Sequence, residues 1–204
     1  VSGSAVVLFD SGQYTQVSSS IAITNALHSG RNLYFTAGTA TFDSTTEGIS
    51  FLNIFVRGGT LVHSASTAGA IRRFTFNATS LNLNSGSINA NALGYLGTYS
   101  YGPSGVPSTN LKSINNAGAS HGGRGAWVTA ASDVGTTYDN LRDPLLPGAG
   151  ASAAGGAGGG VVKVSITGAC IVNNGATISA NGGTGAAGGT IMLTCNHIGG
   201  TAAT

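Results

Sequence analysis

The sequence predicts an all-β protein that folds as a parallel β-helix, or β-solenoid. Charged residues are scarce, with 8 Lys plus Arg and 6 Asp plus Glu among 204 residues, so the chain lacks the composition of helical bundles and coiled coils. Short segments alternate apolar and polar residues, which is typical of strands. One group of such segments recurs along the chain, which is typical of stacked coils. An antiparallel β-sandwich is the alternative, because its hairpins also produce short alternating strands.

The clearest internal repeat relates residues 69–92 to residues 159–182, which align without a gap at an offset of 90. This alignment places Phe74 opposite Val164 and Ile88 opposite Ile178. A third, shortened copy occupies residues 188–204. Because each copy consists of two or three short strands that turn at Gly or Asn, we expect the three copies to be equivalent rungs of one stacked ladder.

The alternation within the second copy predicts which side chains face the core. Val164, Ile166 and Ile171 are expected to point inward, and Lys163 and Ser165 outward.

Residues 1–68 fit the same scheme less closely and contribute the N-terminal strands of a single domain spanning residues 1–204. The strand candidates there are Ala5–Phe9, Ser20–Ile23, Asn32–Phe35, Ile49–Val56 and Thr60–His63. The first of them is a continuous apolar run of Ala5, Val6, Val7, Leu8 and Phe9, which predicts a strand buried on both faces or covered by a partner.

Residues 93–158 form a long insertion, rich in Gly and Pro, between the two best copies. A flexible linker is one interpretation, but its aromatic and charged residues favour a loop packed on the flank of the solenoid. The densest polar group of the chain lies here: His121, Arg124, Tyr138, Asp139, Arg142 and Asp143. These residues are expected to staple the loop through Arg–carboxylate pairs and a histidine bond to a backbone carbonyl. The alternative is a metal or glycan site in which Tyr138 or Trp127 stacks on a sugar.

Four motifs follow one another in this region: ASHGGRG at 119–125, YDNLRDP at 138–144, GGGV at 158–161 and ISANG at 178–182. Their order resembles a family of glycine-rich repeat segments in large extracellular and cell-surface proteins of plants, protists and some bacteria. The resemblance covers roughly residues 69–204. It implies a β-helix-like extracellular module with a structural, adhesive or surface role and without catalytic residues.

Two short signals concern the compartment. Cys170 and Cys195 are the two cysteines, and they form either one disulfide or two buried thiols. Asn77-Ala78-Thr79 is an acceptor sequence for N-glycosylation. With few charges to keep the surface soluble, attached glycans are expected, and so is a location outside the cell or on its surface.

Composition also disfavours several classes of function. A net charge of +2 without a basic stripe argues against a nucleic-acid partner, and no apolar run is long enough to span a membrane. The histidines are isolated and the carboxylates few, so no cofactor, no metal site and no enzymatic activity are expected. A polysaccharide-degrading β-helix enzyme is the least favoured alternative, since such chemistry needs a close pair of carboxylates.

The two ends of the predicted ladder suggest a function. The sequence stops within the third copy, and the apolar strand Ala5–Phe9 has no counterpart in the repeats. We therefore expect Ala5–Phe9 of one copy to complete the sheet of another, so that copies of the chain assemble head to tail into a glycosylated structural fibre. A carbohydrate-binding or adhesive surface module is the alternative, with Trp127 and Tyr138 as the glycan contacts.

Overall fold

The computed structural model describes residues 30–42, 48–67, 70–96, 113–114, 117–126, 130–151, 156–173 and 175–201, together with the backbone of residues 5–9 and 13–17. These residues form fifteen strands and one 3-10 helix, Ala131–Asp133. The strands are β1 (Ala5–Phe9), β2 (Gln13–Val17), β3 (Leu33–Phe35), β4 (Thr39–Thr41), β5 (Ile49–Ser50), β6 (Asn53–Val56), β7 (Thr60–Val62), β8 (Phe74–Ala78), β9 (Ser80–Leu83), β10 (Ser87–Asn89), β11 (Val161–Ile166), β12 (Ala169–Val172), β13 (Thr177–Ser179), β14 (Thr190–Thr194) and β15 (His197–Gly199).

The strands lie in three sheets through which the chain passes repeatedly, so the predicted parallel β-solenoid is confirmed. The orders are β15-β12-β9-β6-β3-β1-β2, β13-β10-β7-β4 and β14-β11-β8-β5. All pairings among β3 to β15 are parallel. Each full coil contributes one strand to each sheet, which the antiparallel β-sandwich alternative would not do.

The core consists of apolar columns that run along the solenoid. In the seven-stranded sheet Leu33, Ile54, Leu81 and Cys170 lie side by side in successive rungs, and none is more than 1% exposed. Alternation along each strand sends these side chains inward, and every rung covers the apolar face of the rung before it. Each fully buried Leu or Ile contributes roughly 1.5–3 kcal/mol.

Polar ladders accompany the columns at the strand ends. Asn53 Nδ2 donates to Asn32 Oδ1 at 2.8 Å, and Ser80 Oγ donates to Asn53 Oδ1 at 2.6 Å. These bonds join residues 21 and 27 positions apart, which are the lengths of the first two coils. The side chains therefore hold successive rungs in register.

The register of the repeat differs from the gapless alignment. Phe74 lies beside Val162, not Val164, and Leu81 lies beside Cys170, whereas Ile88 does pair with Ile178. The two corners of the later coil, after β11 and after β12, are each one residue longer than their counterparts after β8 and β9. The offset therefore grows from 88 to 90 across the three strands.

This shift also corrects one of the predicted core positions. Val164 and Ile166 are buried as expected, and the intervening Lys163 and Ser165 are more exposed. In β12, however, Cys170 is the buried residue and Ile171 is partly exposed. A one-residue change in register moves a side chain to the other face of the sheet.

The N-terminal strand β1 is paired on both edges within the chain. It runs antiparallel to β2, with Phe9 opposite Gln13, and antiparallel to β3, with Phe9 opposite Leu33. This corrects the expectation that Ala5–Phe9 is left over for a neighbouring copy, because neither edge is free. The candidate strand Ser20–Ile23 lies outside the described residues.

The insertion leaves the solenoid after β10 and rejoins it at β11, and glycines pack its described part. Gly94 N–H donates to Gly158 O at 2.6 Å, Gly158 N–H donates to Tyr95 O at 2.9 Å, and Gly148 N–H donates to Gly159 O at 2.8 Å. The backbones approach so closely that a Cβ on Gly158 would collide with the carbonyl oxygen of Gly148. The glycine-rich sequence therefore forms a packed, hydrogen-bonded layer.

Candidate functional site

An open cleft of about 510 Å³ lies between the insertion and the last full coil. Its walls include four of the six polar residues singled out in the sequence, together with part of the last coil. His121, Arg124, Tyr138 and Asp139 lie on one side, Gly188 and Thr190 on the other, and Arg142 and Asp143 are not part of the lining. Apolar Leu141, which is 86% exposed, lies at its rim.

Asp139 organises the loop beside the cleft. Its carboxylate accepts hydrogen bonds from the backbone N–H groups of Asn140 at 2.8 Å, Leu145 at 3.1 Å and Leu146 at 2.9 Å. Burial by itself raises the pKa of this carboxyl, but the bonds from Leu146, Leu145, Asn140 and His121 outweigh burial and lower the pKa. Asp139 is therefore an ionised carboxylate that fixes the turn, in which its own φ is 80°.

His121 ties this turn to the solenoid. Its Nε2 lies 3.1 Å from Asp139 Oδ2 and its Nδ1 lies 3.0 Å from the carbonyl oxygen of Gly188. Both neighbours are hydrogen-bond acceptors, so the ring bridges the carboxylate of the loop and the backbone of the last coil. The predicted staple thus includes the histidine–carbonyl bond, and the partner of the Asp139 carboxylate is this histidine rather than an arginine.

Two tyrosines pack behind the pair. The Tyr138 ring packs against His121 with centroids 4.9 Å apart and planes inclined by 43°, and its hydroxyl donates to Pro147 O at 2.6 Å. Burial is the main reason that the pKa of Tyr138 is raised, and the neighbouring Tyr95 and Asp139 raise it further. Burial likewise raises the pKa of Tyr95 to about 12. Both phenols therefore stay neutral at physiological pH.

Tyr95 also belongs to this cluster. The aromatic residues of the insertion predict either exposed glycan contacts or side chains buried against the solenoid, and Tyr95 is fully buried. Its hydroxyl has no hydrogen-bond partner among the described residues. A tyrosine between Gly-rich segments carries no motif or periodicity, so no sequence signal could have placed it against Tyr138.

Other charged residues in the insertion and beside it also make contacts. Arg124 Nη2 donates to Ala131 O at 2.6 Å, Asp133 Oδ2 accepts from Ala130 N–H at 3.1 Å, and Lys163 Nζ lies 2.7 Å from Asp143 Oδ1. Most polar atoms around the cleft are thus used to hold the loop in place.

The other predicted site residues lie elsewhere. Cys170 and Cys195 form a disulfide with Cα atoms 6.0 Å apart. Asn77 lies on the outer face of β8 and is exposed. Trp127, one of the two residues expected to contact a glycan, falls outside the described residues, while Tyr138 lies in the cleft wall.

Two searches of the described residues were negative. They include no group of three or more His, Cys, Asp and Glu that could hold a metal ion. They also include no helix with the length and hydrophobicity to cross a bilayer. Comparison of the chain with family models, with curated proteins and with solved structures finds no match.

Proposed function

We propose that this chain is the structural subunit of an extracellular fibre or surface appendage, in which copies stack head to tail by pairing their end strands. The observation that carries the proposal is the exposed end of an apolar column. Ile198 continues the column of Leu81 and Cys170, yet it is 62% exposed, whereas Leu81 is 1% exposed. A rung from a second copy would bury Ile198 as each rung buries the one before it.

The neighbouring sheet ends in the same way. Ile191 in β14 lies beside Val162 in β11, and its exposure is 48% against 1% for Val162. Apolar groups arranged at the spacing of a solenoid rung are suited to a partner with the same spacing. A second copy of this chain has that spacing.

The direction of the end strands is compatible with stacking. Among the described residues, β2 and β15 each have a neighbour on one edge only. Strand β1 runs antiparallel to both β2 and β3, so β2 runs in the same direction as β3 and, through the parallel ladder, as β15. The β2 edge of one copy could therefore continue the sheet beyond β15 of the next copy as a parallel pair. Stacking replaces the donation of Ala5–Phe9, because that strand already has two partners.

Charge and surface chemistry favour the same assembly. The chain has a net charge of +2, so repulsion between stacked copies is small. The disulfide supports an oxidising, extracellular setting.

Asn77 projects from the side of the solenoid, between Ser50 and Ser165 of the adjacent rungs. A glycan on Asn77 would keep fibres from bundling. Treatment of protein from a eukaryotic secretory host with an N-glycosidase should lower its mass, and Asn77→Gln should abolish that change.

Electron microscopy of the purified chain tests the assembly, and single substitutions test its surface. Ile198→Lys and Ile191→Lys place a charge on an exposed position of the last rungs, so the subunit still folds but stacking buries an unpaired charge. Leu52→Lys makes the same chemical change at an exposed corner between β5 and β6, three rungs before β15. We expect fibres from the unmodified chain and from Leu52→Lys, and dispersed particles from the two end variants. Dispersed particles of the unmodified chain at all concentrations, or fibres from all variants alike, would refute the proposal.

A further inference from the structure

A second concave site lies on the outer surface of the seven-stranded sheet, about 300 Å³ in volume. Phe55 and Asn82 form one side, and Arg57, Asn84 and Asn173 form the other. Asn84 and Asn173 follow β9 and β12 at equivalent positions, so they line up at the corner of successive rungs. The backbone around the groove is therefore held by the ladder.

Phe55 provides an aromatic face in this groove. Its ring stacks on that of Tyr34 in the preceding rung, with centroids 4.7 Å apart and planes inclined by 9°. Asn82 lies beside Phe55 in the following rung. One face of the ring is thus covered by Tyr34, and the ring lines the groove together with Asn82.

The polar groups of the groove are available to a ligand. Within the part of the chain that the structure describes, the side chains of Arg57 and Asn82 have no hydrogen-bond partner. Asn173 Nδ2 donates to Asn84 Oδ1 at 3.0 Å. This bond orients the Asn84 amide and leaves the N–H groups of Asn84 unused. Among the described residues, the groove lining therefore offers the Arg57 guanidinium, the amides of Asn82 and Asn84, and no carboxylate, while the Asn173 amide is occupied by Asn84 and Thr201.

We propose that this groove binds a pyranose unit that bears a carboxylate, as in a polyuronate chain. The C–H groups of a pyranose ring pack on the part of Phe55 that lines the groove, since an aromatic ring offers an apolar surface to them. The amides of Asn82 and Asn84 bond the ring hydroxyls, and the Arg57 guanidinium pairs with the carboxylate. A cavity of this size accepts one or two sugar units. The inference concerns the side of the solenoid and does not depend on fibre formation.

Isothermal titration calorimetry with an oligogalacturonate and with a neutral galactose oligomer of equal length tests the proposal. We expect the acidic oligomer to bind more tightly, and its advantage to shrink as salt is raised, because the Arg57–carboxylate pair is screened. Binding of neither oligomer would overturn the proposal, and equal binding of both would overturn the assignment of Arg57.

Three variants locate the site. Phe55→Ala is expected to weaken binding of both oligomers about tenfold, as loss of an aromatic contact does in other interfaces. Arg57→Gln is expected to remove only the preference for the acidic oligomer, so it still tests the site if Phe55→Ala fails to fold. Arg142→Gln makes the same charge change on the exposed loop of the insertion and should leave binding unchanged. The proposal would be overturned if Arg57→Gln and Arg142→Gln lost equal affinity for the acidic oligomer. It would also be overturned if folded Phe55→Ala bound both oligomers as tightly as the parent, since the ligand would then lie elsewhere.

Discussion

The Nε2 atom of His63 accepts a hydrogen bond from the backbone N–H of Val161 at 3.1 Å, across 98 positions of sequence. His63 follows β7, and Val161 is the first residue of β11, where the chain re-enters the solenoid after the insertion. On the other side of the ring, Nδ1 donates to Ser64 O at 2.7 Å. The histidine is 1% exposed, so it positions the returning strand from inside the core.

Replacing His63 by Leu should lower the free energy of unfolding by about 1–3 kcal/mol, because the Val161 N–H is then buried without its acceptor. Leu is close in size and apolar, so the change removes the hydrogen bond more than the packing. Chemical denaturation followed by circular dichroism gives the difference. His197→Leu on the exposed edge of β15 is the control and should change stability by less than about 0.5 kcal/mol. Equal effects of the two variants would mean that the His63 bond does not stabilise the fold.

The glycines of the insertion make a second prediction. Gly158 has no room for a methyl group beside Gly148 O, whereas a Cβ on Gly122 would meet nothing within 4 Å. Neither glycine has a positive φ, so Ala differs from Gly at both positions mainly by its volume. Gly158→Ala should therefore destabilise the protein by more than about 2 kcal/mol, and Gly122→Ala should be nearly neutral. Similar melting temperatures for the two variants would contradict the close packing of the layer.

Periodicity was sufficient to predict the solenoid but not its register. The apolar alternation around Phe74 and Val164 identifies two strands of the same sheet, and both are buried. It cannot show that Phe74 lies beside Val162, because a solenoid corner accepts one residue more or less without changing the apolar pattern of either strand. Register is decided at the corners, by backbone bonds that the sequence does not encode in a simple pattern.

The candidate site was predictable only in part. The polar residues His121 and Asp139 stand out in a chain with few charges, and a role as a staple followed from their chemistry. Their pairing with each other, and the burial of Tyr95 behind them, depend on how the glycine-rich segments fold together. Those contacts are between backbones, so hydrophobic periodicity carries no information about them.

The Asp139 carboxylate predicts how the loop responds to acid. Its pKa is lowered in the folded protein relative to the ordinary value of 3.8, so its contribution to stability is fully present above that value and is lost as the pH falls through the lower, folded pKa. Hydrogen exchange followed by mass spectrometry should show residues 138–146 opening below about pH 4, while the solenoid strands stay protected.

Asp139→Asn is the matched variant for this prediction. Asn tolerates the positive φ found at this position, and it differs from Asp in charge but hardly in size. The variant should show a loosened loop already at pH 7, with little further change on acidification. A loop whose exchange depends on acid as strongly in Asp139→Asn as in the parent would assign the effect to another group.

The disulfide makes the last prediction, which concerns the end of the ladder. Cys170 and Cys195 are 25 positions apart and close the last full coil, joining β12 to the residue that follows β14. A cross-link over a loop of this length stabilises by about 3 kcal/mol. In a solenoid each rung contacts only its neighbours, so the loss of stability falls first on the end rungs.

Reduction with dithiothreitol should therefore speed amide exchange in β14 and β15 and leave β8 and β9 protected. Cys195→Ser should do the same without reductant. Uniform acceleration along the chain would contradict a local role. Because β14 and β15 carry the exposed Ile191 and Ile198, the reduced protein should also lose the ability to form fibres, which electron microscopy of the same samples would reveal.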